Sequence, residues 1–310
     1  MDSIASRGPT LPAYTAARER IAHRARPSGI LDVTGVDRVA FLQGQLTQEM
    51  RGLAAGEARP VAGLTPKGKL LFVARAVGLP DRIRLLVPAA IRPFVLDHLR
   101  KYAVFTKVVI EDRSDEFFRI GLYGPRGAQI GLPDWVQRLP AEGEFSAELL
   151  APVARRDDLD ALLDAAGSSG TPEETAEVLR VEAGRPRFGQ DMDSANLPDE
   201  AGLHEAISTT KGCYVGQEVV ARMRTYGRVN RRLVSFRFPE GAIGRGEVLR
   251  RPDEETPSRI EAGRVTSSVE SPLLGAIGLG YAFRDVPSGE RLVCVAEPRL
   301  GAIVSDLPSA

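Results

Sequence analysis

Eight consecutive residues, Lys211-Gly212-Cys213-Tyr214-Val215-Gly216-Gln217-Glu218, bring a thiol, an amine, an amide and a carboxylate together with two glycines. Arg222, Arg224, Arg228, Arg231 and Arg232 follow, and Glu218 is the only acid between positions 211 and 232. Cations around a cysteine favour the thiolate, which is a nucleophile, a redox group and a soft metal ligand. No core pattern asks for this mixture. A helix or strand packed on one face repeats its apolar residues every 3.6 or two positions, whereas Cys213, Tyr214 and Val215 are consecutive. The glycines permit a tight turn or the close approach of a ligand. The octapeptide reads as a site, with Cys213 its functional thiol and Lys211 its amine; the competing reading is an inert cysteine beside a turn.

A second chemical signal precedes it. Thr171-Pro172-Glu173-Glu174 starts a helix, with Thr171 as cap, Pro172 in the first turn and Glu174 completing a capping box. The helix runs through Ala176, Leu179 and Val181 and ends near Gly184. Glu182 then falls in the last turn, where the helix dipole disfavours a carboxylate, beside the apolar face. Either it pairs with Arg185 or Arg187, or it is held for a ligand. The polar loop 185–200 leads from there into the octapeptide, and a loop of that length inside a compact domain carries function more often than not.

The elements that must position these groups can be read from periodicity. Residues 1–27 form an extension in which Thr15 to Ala25 reads as an exposed helix without visible chemistry. Ile30 to Gly35 is a strand and turn, and Val36 to Leu46 is helical with Asp37 in its first turn. Val61 to Val77 is a hairpin turning at Pro66-Lys67-Gly68, Ile83 to Val87 a strand, Ile91 to Tyr102 an amphipathic helix, and Lys107 to Glu111 a strand. This mixed order indicates an α+β domain. Phe117 to Tyr123 is a strand leading into Gly121, Gly124 and Gly127. Their G-x-x-G-x-x-G spacing is not the dinucleotide fingerprint, and they read as a packing turn. From Arg231 the texture becomes short β runs (233–238, 247–249, 259–269, 275–283, 291–297) punctuated by Gly and Pro, as in a sandwich or small barrel. Cys294 alternates with Leu292 and Ala296 and reads as a buried small hydrophobe.

Composition narrows the class. The 310 residues carry 41 basic and 41 acidic side chains and 43% hydrophobic residues, ordinary for a globular chain of two or three domains. No apolar run reaches membrane-spanning length and no secretory signal is apparent, so a cytoplasmic protein is expected. Two cysteines and three scattered histidines are too few for a disulfide framework or a metal cluster held by this chain alone. Only five of the basic residues are lysines, and three lie in the glycine-containing segments Pro66-Lys67-Gly68-Lys69 and Lys211-Gly212. A compact ammonium suits a tight site better than a guanidinium fork, although chance explains so small a set equally well.

Taken together, Asp32-Val33-Thr34-Gly35 with Asp37-Arg38 and Phe41-Leu42-Gln43-Gly44-Gln45-Leu46-Thr47, then Pro66-Lys67-Gly68-Lys69, Arg180-x-Glu182-Ala183-Gly184, Gly189-x-Asp191, Glu200-Ala201-Gly202-Leu203 and the octapeptide resemble the YgfZ family of folate-binding proteins. These are relatives of the glycine-cleavage aminomethyltransferase. Gly263-Arg264-Val265-Thr266-Ser267-Ser268 and Gly278-Leu279-Gly280-Tyr281 resemble the C-terminal barrel both groups share. The resemblance spans roughly 28–305. It implies an α+β, three-domain ring of the aminomethyltransferase (GcvT) type with a C-terminal all-β barrel: a folate-binding region over 28–228, divided near 115/116, and the barrel over 229–310. It implies tetrahydrofolate, or a one-carbon derivative, as cofactor, with Glu182 holding the pterin and Tyr214, Gln217, Glu218 and Arg228 as further contacts. It implies a part in assembling or repairing iron–sulfur enzymes, including a tRNA-modifying one, with those enzymes as partners. Neutral net charge argues against direct nucleic-acid binding. The transferases resemble one another in an aspartate shortly after the hairpin glycine, whereas this chain has Leu70-Leu71-Phe72-Val73-Ala74. That departure argues against the alternative, a folate-dependent aminomethyl or methyl transferase or demethylase. A scaffold with an inert Cys213 is the third reading.

Overall fold

In the computed structural model, which describes residues 10–225, 227, 229–252 and 261–308, the chain opens with helix α1 (Leu11–Glu19) and strand β1 (Ala22–Ala25). The expected exposed helix over 15–25 is corrected here. Tyr14, Ala16 and Ala17 are buried, and Ala22–Ala25 is drawn into a sheet with residues 120–123 and 169–170. Long-range pairing overrides an alanine- and arginine-rich local preference for helix.

Strand β2 (Ser28–Thr34), helix α2 (Arg38–Gln45), strands β3 (Ala58–Leu64), β4 (Leu70–Gly78) and β5 (Ile83–Pro88), helix α3 (Arg92–Ala103) and strand β6 (Val109–Asp112) build the first sheet, ordered β3-β4-β5-β2-β6. Leu31, Val33, Leu42, Phe72, Leu85 and Leu99 fill the space between this sheet and its helices. Val36, expected on the apolar face of α2, precedes the helix and is exposed, while Asp37 accepts the Lys107 backbone N–H at 2.8 Å. The β3–β4 hairpin turns at 65–69 with Gly68 at a φ of 72°, a left-handed position that favours glycine.

Strands β7 (Phe117–Tyr123), β8 (Gln137–Leu139) and β9 (Ala147–Pro152), helix α4 (Arg156–Ala165), strand β10 (Ser169–Gly170) and helix α5 (Glu173–Glu182) follow, and the second sheet is ordered β10-β1-β7-β9-β8. Gly121 serves packing, since a Cβ there would lie 2.2 Å from the Phe145 ring. Thr171 does not cap α5. Its N–H donates to His23 O at 2.8 Å, continuing the β1–β10 pairing, and its hydroxyl is buried without a partner.

After helix α6 (Gln217–Thr225), strands β11 (Arg231–Arg237), β12 (Val248–Arg250), β13 (Gly263–Ser271), β14 (Gly275–Phe283), β15 (Arg291–Cys294) and β16 (Gly301–Ser305) close a barrel in the order β11-β14-β13-β12-β15-β16, sealed by β11–β16 pairing. Phe236, Val265, Leu292 and Val304 fill it. Cys294 is buried there, whereas Ala296 lies beyond the end of β15 and is exposed. Residues 259 and 260, expected to begin a strand, lie outside the described residues.

Candidate functional site

The octapeptide is clamped at two points and free between them. Lys211, only 6% exposed, sends its ammonium to Gln43 O at 2.8 Å, Leu46 O at 2.6 Å and Gln48 O at 2.9 Å. These carbonyls lie at and just beyond the C-terminal end of α2, where helix geometry leaves acceptors without intrahelical donors. Burial pulls the amine down to about 8. Three acceptors match the three N–H bonds of the charged form, however, and so act in the opposite direction. Lys211, expected to do chemistry, therefore acts as a structural cation.

The other clamp is Tyr214, buried with Ala62, Leu64, Leu70 and Val220, its ring 5.0 Å from the Lys211 ammonium. Val215 N–H donates to Gly44 O at 3.1 Å. Gly216 has a φ of 83°, and a Cβ on it would lie 2.6 Å from Thr65 O and 3.2 Å from Gly68 Cα. The two motif glycines, far apart in sequence, thus let the octapeptide lie directly on the hairpin turn. Gly212 and Cys213, between the clamps, are exposed, and the thiol faces solvent.

The cations expected around Cys213 are largely neutralised. Arg224 pairs with Asp199 at 2.7 Å, Arg231 with Glu200 at 3.6 Å and Arg232 with Asp306 at 3.5 Å, and Arg228 lies outside the described residues. Gln217 and Glu218 open α6, where Glu218 and Arg222 line a shallow groove along the helix. On the other side of Val215 a cleft of about 250 Å³ is walled by Gln45, Thr65, Leu71, His98 and Tyr102. Leu71 falls in the stretch where an acid was sought, and its apolar side chain forms part of that wall.

Glu182 lies elsewhere. Its carboxylate, 5% exposed, accepts from Tyr14 Oη at 2.7 Å, Arg18 at 2.9 Å and Ser271 Oγ at 2.5 Å, joining α5 to α1 and the barrel. It pairs with neither Arg185 nor Arg187. Burial and this carboxylate push the Tyr14 hydroxyl up to about 12. The acid that looked misplaced is satisfied by a segment that had shown no chemistry in sequence.

Next to it, Arg180 donates to Glu177 at 2.5 and 2.9 Å, to Asp191 at 2.7 Å and to Ser267 at 2.7 Å, tying α5 to the 185–200 loop and to the barrel. Burial opposes ionisation of Glu177, but Arg180 and Arg187 outweigh it and hold the carboxyl at about 2, below its ordinary 4.5. A depressed carboxyl contributes stability above pH 4.5 that is lost as pH falls toward 2. With part of the shift discounted for solvent access, urea unfolding should show Glu177→Gln losing about 2 kcal/mol at pH 7 and almost none at pH 2. An equal loss at both pH values would contradict this assignment.

One acid is different from all of these. At the junction of the two sheets, Glu148 is fully buried and receives Arg26, Arg75 and Arg119, with Glu142 alongside the same three guanidiniums. Two residues past Glu142, Glu144 is half-buried and, among the described residues, its carboxylate has no hydrogen bond or ion pair to another side chain. Burial pushes its carboxyl above the usual range. A recessed carboxylate whose donor is its own backbone N–H, and which meets no other side chain among the described residues, is a candidate place for a ligand.

No protein-family model matches the chain. An uncharacterized protein of Haemophilus influenzae is 32% identical over 253 residues, 77% of this chain and 81% of its own length. The tRNA-modifying protein YgfZ of Hamiltonella defensa is 32% identical over 225 residues, 66% of each chain. The solved glycine cleavage system aminomethyltransferase T of Bartonella henselae superposes with a TM-score of 0.84 over 96% of this chain and 88% of its own, at 21% identity. The chain belongs to the YgfZ family. Its fold is that of the aminomethyltransferases, mixed α and β with a closed six-stranded barrel. Among the described residues of this YgfZ-family chain no helix is long and apolar enough to cross a membrane.

Of the residues singled out in sequence, the fold gathers Lys211, Cys213, Tyr214, Gln217 and Glu218 on the β3–β4 hairpin and the end of α2. It places Glu182 against α1 and the barrel, in a different packing cluster. Sequence reasoning missed Glu144. Its one signal was Glu142-Gly143-Glu144, two acids around a glycine just before a strand.

Proposed function

We propose that this YgfZ-family protein binds tetrahydrofolate, or a one-carbon derivative, at the junction of the two sheets, and assists assembly or repair of iron–sulfur enzymes through Cys213. The observation that carries the folate reading is the Glu144 carboxylate, which takes its own backbone N–H but meets no other side chain among the described residues. The 2-amino group and N3–H of a pterin form a paired donor edge that a carboxylate accepts bidentately, and neither Glu144 oxygen is taken by another side chain among the described residues. Glu182, the acid first assigned this role, already accepts three hydrogen bonds and fits it less well. Tetrahydrofolate, when bound, supplies a carrier for one-carbon units. The chain's own part is to seat the ring and present an exposed thiol on a rigid support. A link to tRNA modification rests on the name of the Hamiltonella relative. Aminomethyl transfer is disfavoured, because Leu70 and Phe72 are fully buried, Leu71 is apolar, and the stretch offers no carboxylate to support a reacting amine.

Calorimetric titration with tetrahydrofolate tests the reading. Glu144→Ala is expected to weaken binding about 10- to 100-fold, the worth of a charge-assisted pair of hydrogen bonds, while Glu182→Ala mainly lowers stability. Cys213→Ser should bind folate like the parent yet fail to restore iron–sulfur enzyme activity in a deletion strain. Unchanged affinity in Glu144→Ala refutes the anchor, and full rescue by Cys213→Ser leaves a scaffold with an inert thiol.

A further inference from the structure

The first sheet ends in an open and partly apolar edge. Strand β6 is last in the order β3-β4-β5-β2-β6, so only its β2 side is paired. Val109 on this strand is 57% exposed, and Val36, Val104 and the fully exposed Phe105 lie around it. The patch is continuous, because Thr34 is the pairing partner of Val109 and Asp37 meets the Lys107 backbone through both its N–H and its carboxylate. Bare strand edges and apolar patches are templates for association, and proteins that do not use them blunt or cover them. We propose that β6 is an interface between two copies of this chain, which pair their β6 strands antiparallel about a two-fold axis centred on Val109 and so join their first sheets edge to edge.

Backbone direction limits how such a pair can form. Arg113 N–H donates to Ile30 O at 2.8 Å, so along the antiparallel ladder residues 109, 111 and 113 bond to β2 while 108, 110 and 112 turn their backbone groups outward. In agreement, Ile110 O accepts from the Arg100 guanidinium of α3 at 2.9 Å, and its second lone pair stays open. A second β6 must set outward residues against outward residues, so its register moves only in steps of two. Centred on Val109, Val108 bonds to Ile110 of the other copy, Val109 meets its own counterpart, and Lys107 stands opposite Glu111 twice. The neighbouring registers lose this match. Centred on Val108, Lys107 faces Val109; centred on Ile110, it faces Arg113; centred on Glu111, two carboxylates oppose each other. Lys107, Val109 and Glu111 are all exposed, whereas Ile110 between them is buried. Among the described residues the Lys107 ammonium has no ion pair, and Glu111 meets one cation, Arg113, only at 3.9 Å. Both charges are thus available to a second copy, and two-fold symmetry makes each contact twice.

Sedimentation equilibrium of the full chain over a concentration series tests this. The parent is expected to be a reversible dimer at high concentration. Lys107→Glu or Glu111→Lys, each turning two opposite-charge pairs into like-charge pairs, should weaken association about 10- to 100-fold, with the urea midpoint of the dilute chain unchanged. The chain carrying both substitutions should associate like the parent, because the exchange restores both pairs in this register alone. For the same reason an equal mixture of the two single variants should form mixed dimers. A parent that stays monomeric at the highest concentration reached overturns the proposal. So do single variants that associate like the parent, or a double variant that remains as weak as the singles.

Discussion

Replacing Lys211 with methionine is expected to lower the free energy of unfolding by about 3 kcal/mol in urea titration, while raising the rate at which a disulfide reagent modifies Cys213. Methionine keeps an apolar stem of similar length, so the loss isolates the ammonium. Three carbonyls at 2.6 to 2.9 Å would lose their common donor. Water replaces such a donor poorly at a site only 6% exposed. Arginine should not rescue the variant, because a planar fork cannot aim at three oxygens converging on one point. The thiol readout separates positioning from bulk stability: with Tyr214 still buried, losing the Lys211 clamp frees one side of Gly212-Cys213. An unchanged unfolding midpoint in Lys211→Met would show that the carbonyls find other donors and that the octapeptide is held by Tyr214 and Gly216 alone.

How far the sequence reached follows from what each feature depends on. The β3–β4 hairpin and helix α5 were legible because periodicity and local turn chemistry set them: Pro66-Lys67-Gly68 at one, Pro172 and Gly184 at the other. The barrel was legible as short β runs, although β13 begins at Gly263 and β15 ends at Cys294, shorter than expected at those ends, and β16 (Gly301–Ser305), which closes the barrel, was not anticipated. The octapeptide was conspicuous because its residue types suit no packing pattern. Its inner logic was not legible, since Lys211 answers to the end of a helix 165 residues earlier. Strand β1 was misread for the same reason, as its partners lie in β7 and β10. Glu182 and Glu144 exchanged significance on folding. Glu182 stood out by breaking a helix rule and is answered by Tyr14, Arg18 and Ser271, while Glu144 had the aspect of an ordinary polar turn residue and is left without a side-chain partner. The sequence shows which acids are unusual locally, but only the fold shows which are unsatisfied.

The turn that presents Glu144 depends on the charge cluster beneath it, which sets the other large expected effect. Glu148→Gln should destabilise the protein by about 3–5 kcal/mol, the usual consequence of removing one member of a buried ionic group. Glu148 is fully buried in β9 and receives Arg26 from beside β1, Arg75 from β4 and Arg119 from β7, so one carboxylate ties the first sheet to the second. Glutamine preserves volume yet offers one acceptor oxygen and an amide that points N–H toward guanidiniums. Glu142 alone, 38% exposed, would then face three cations. Arg75 also donates to Pro140 O at 2.7 Å, at the start of the turn carrying Glu142, Gly143 and Glu144. Loss of folate affinity is therefore expected alongside loss of stability. Arg75→Met should lower affinity too, at a smaller cost in stability, because Glu148 keeps Arg26 and Arg119. If Glu148→Gln unfolds at the parental urea concentration, Glu142 is sufficient counter-charge and the two sheets are joined by their apolar contacts instead.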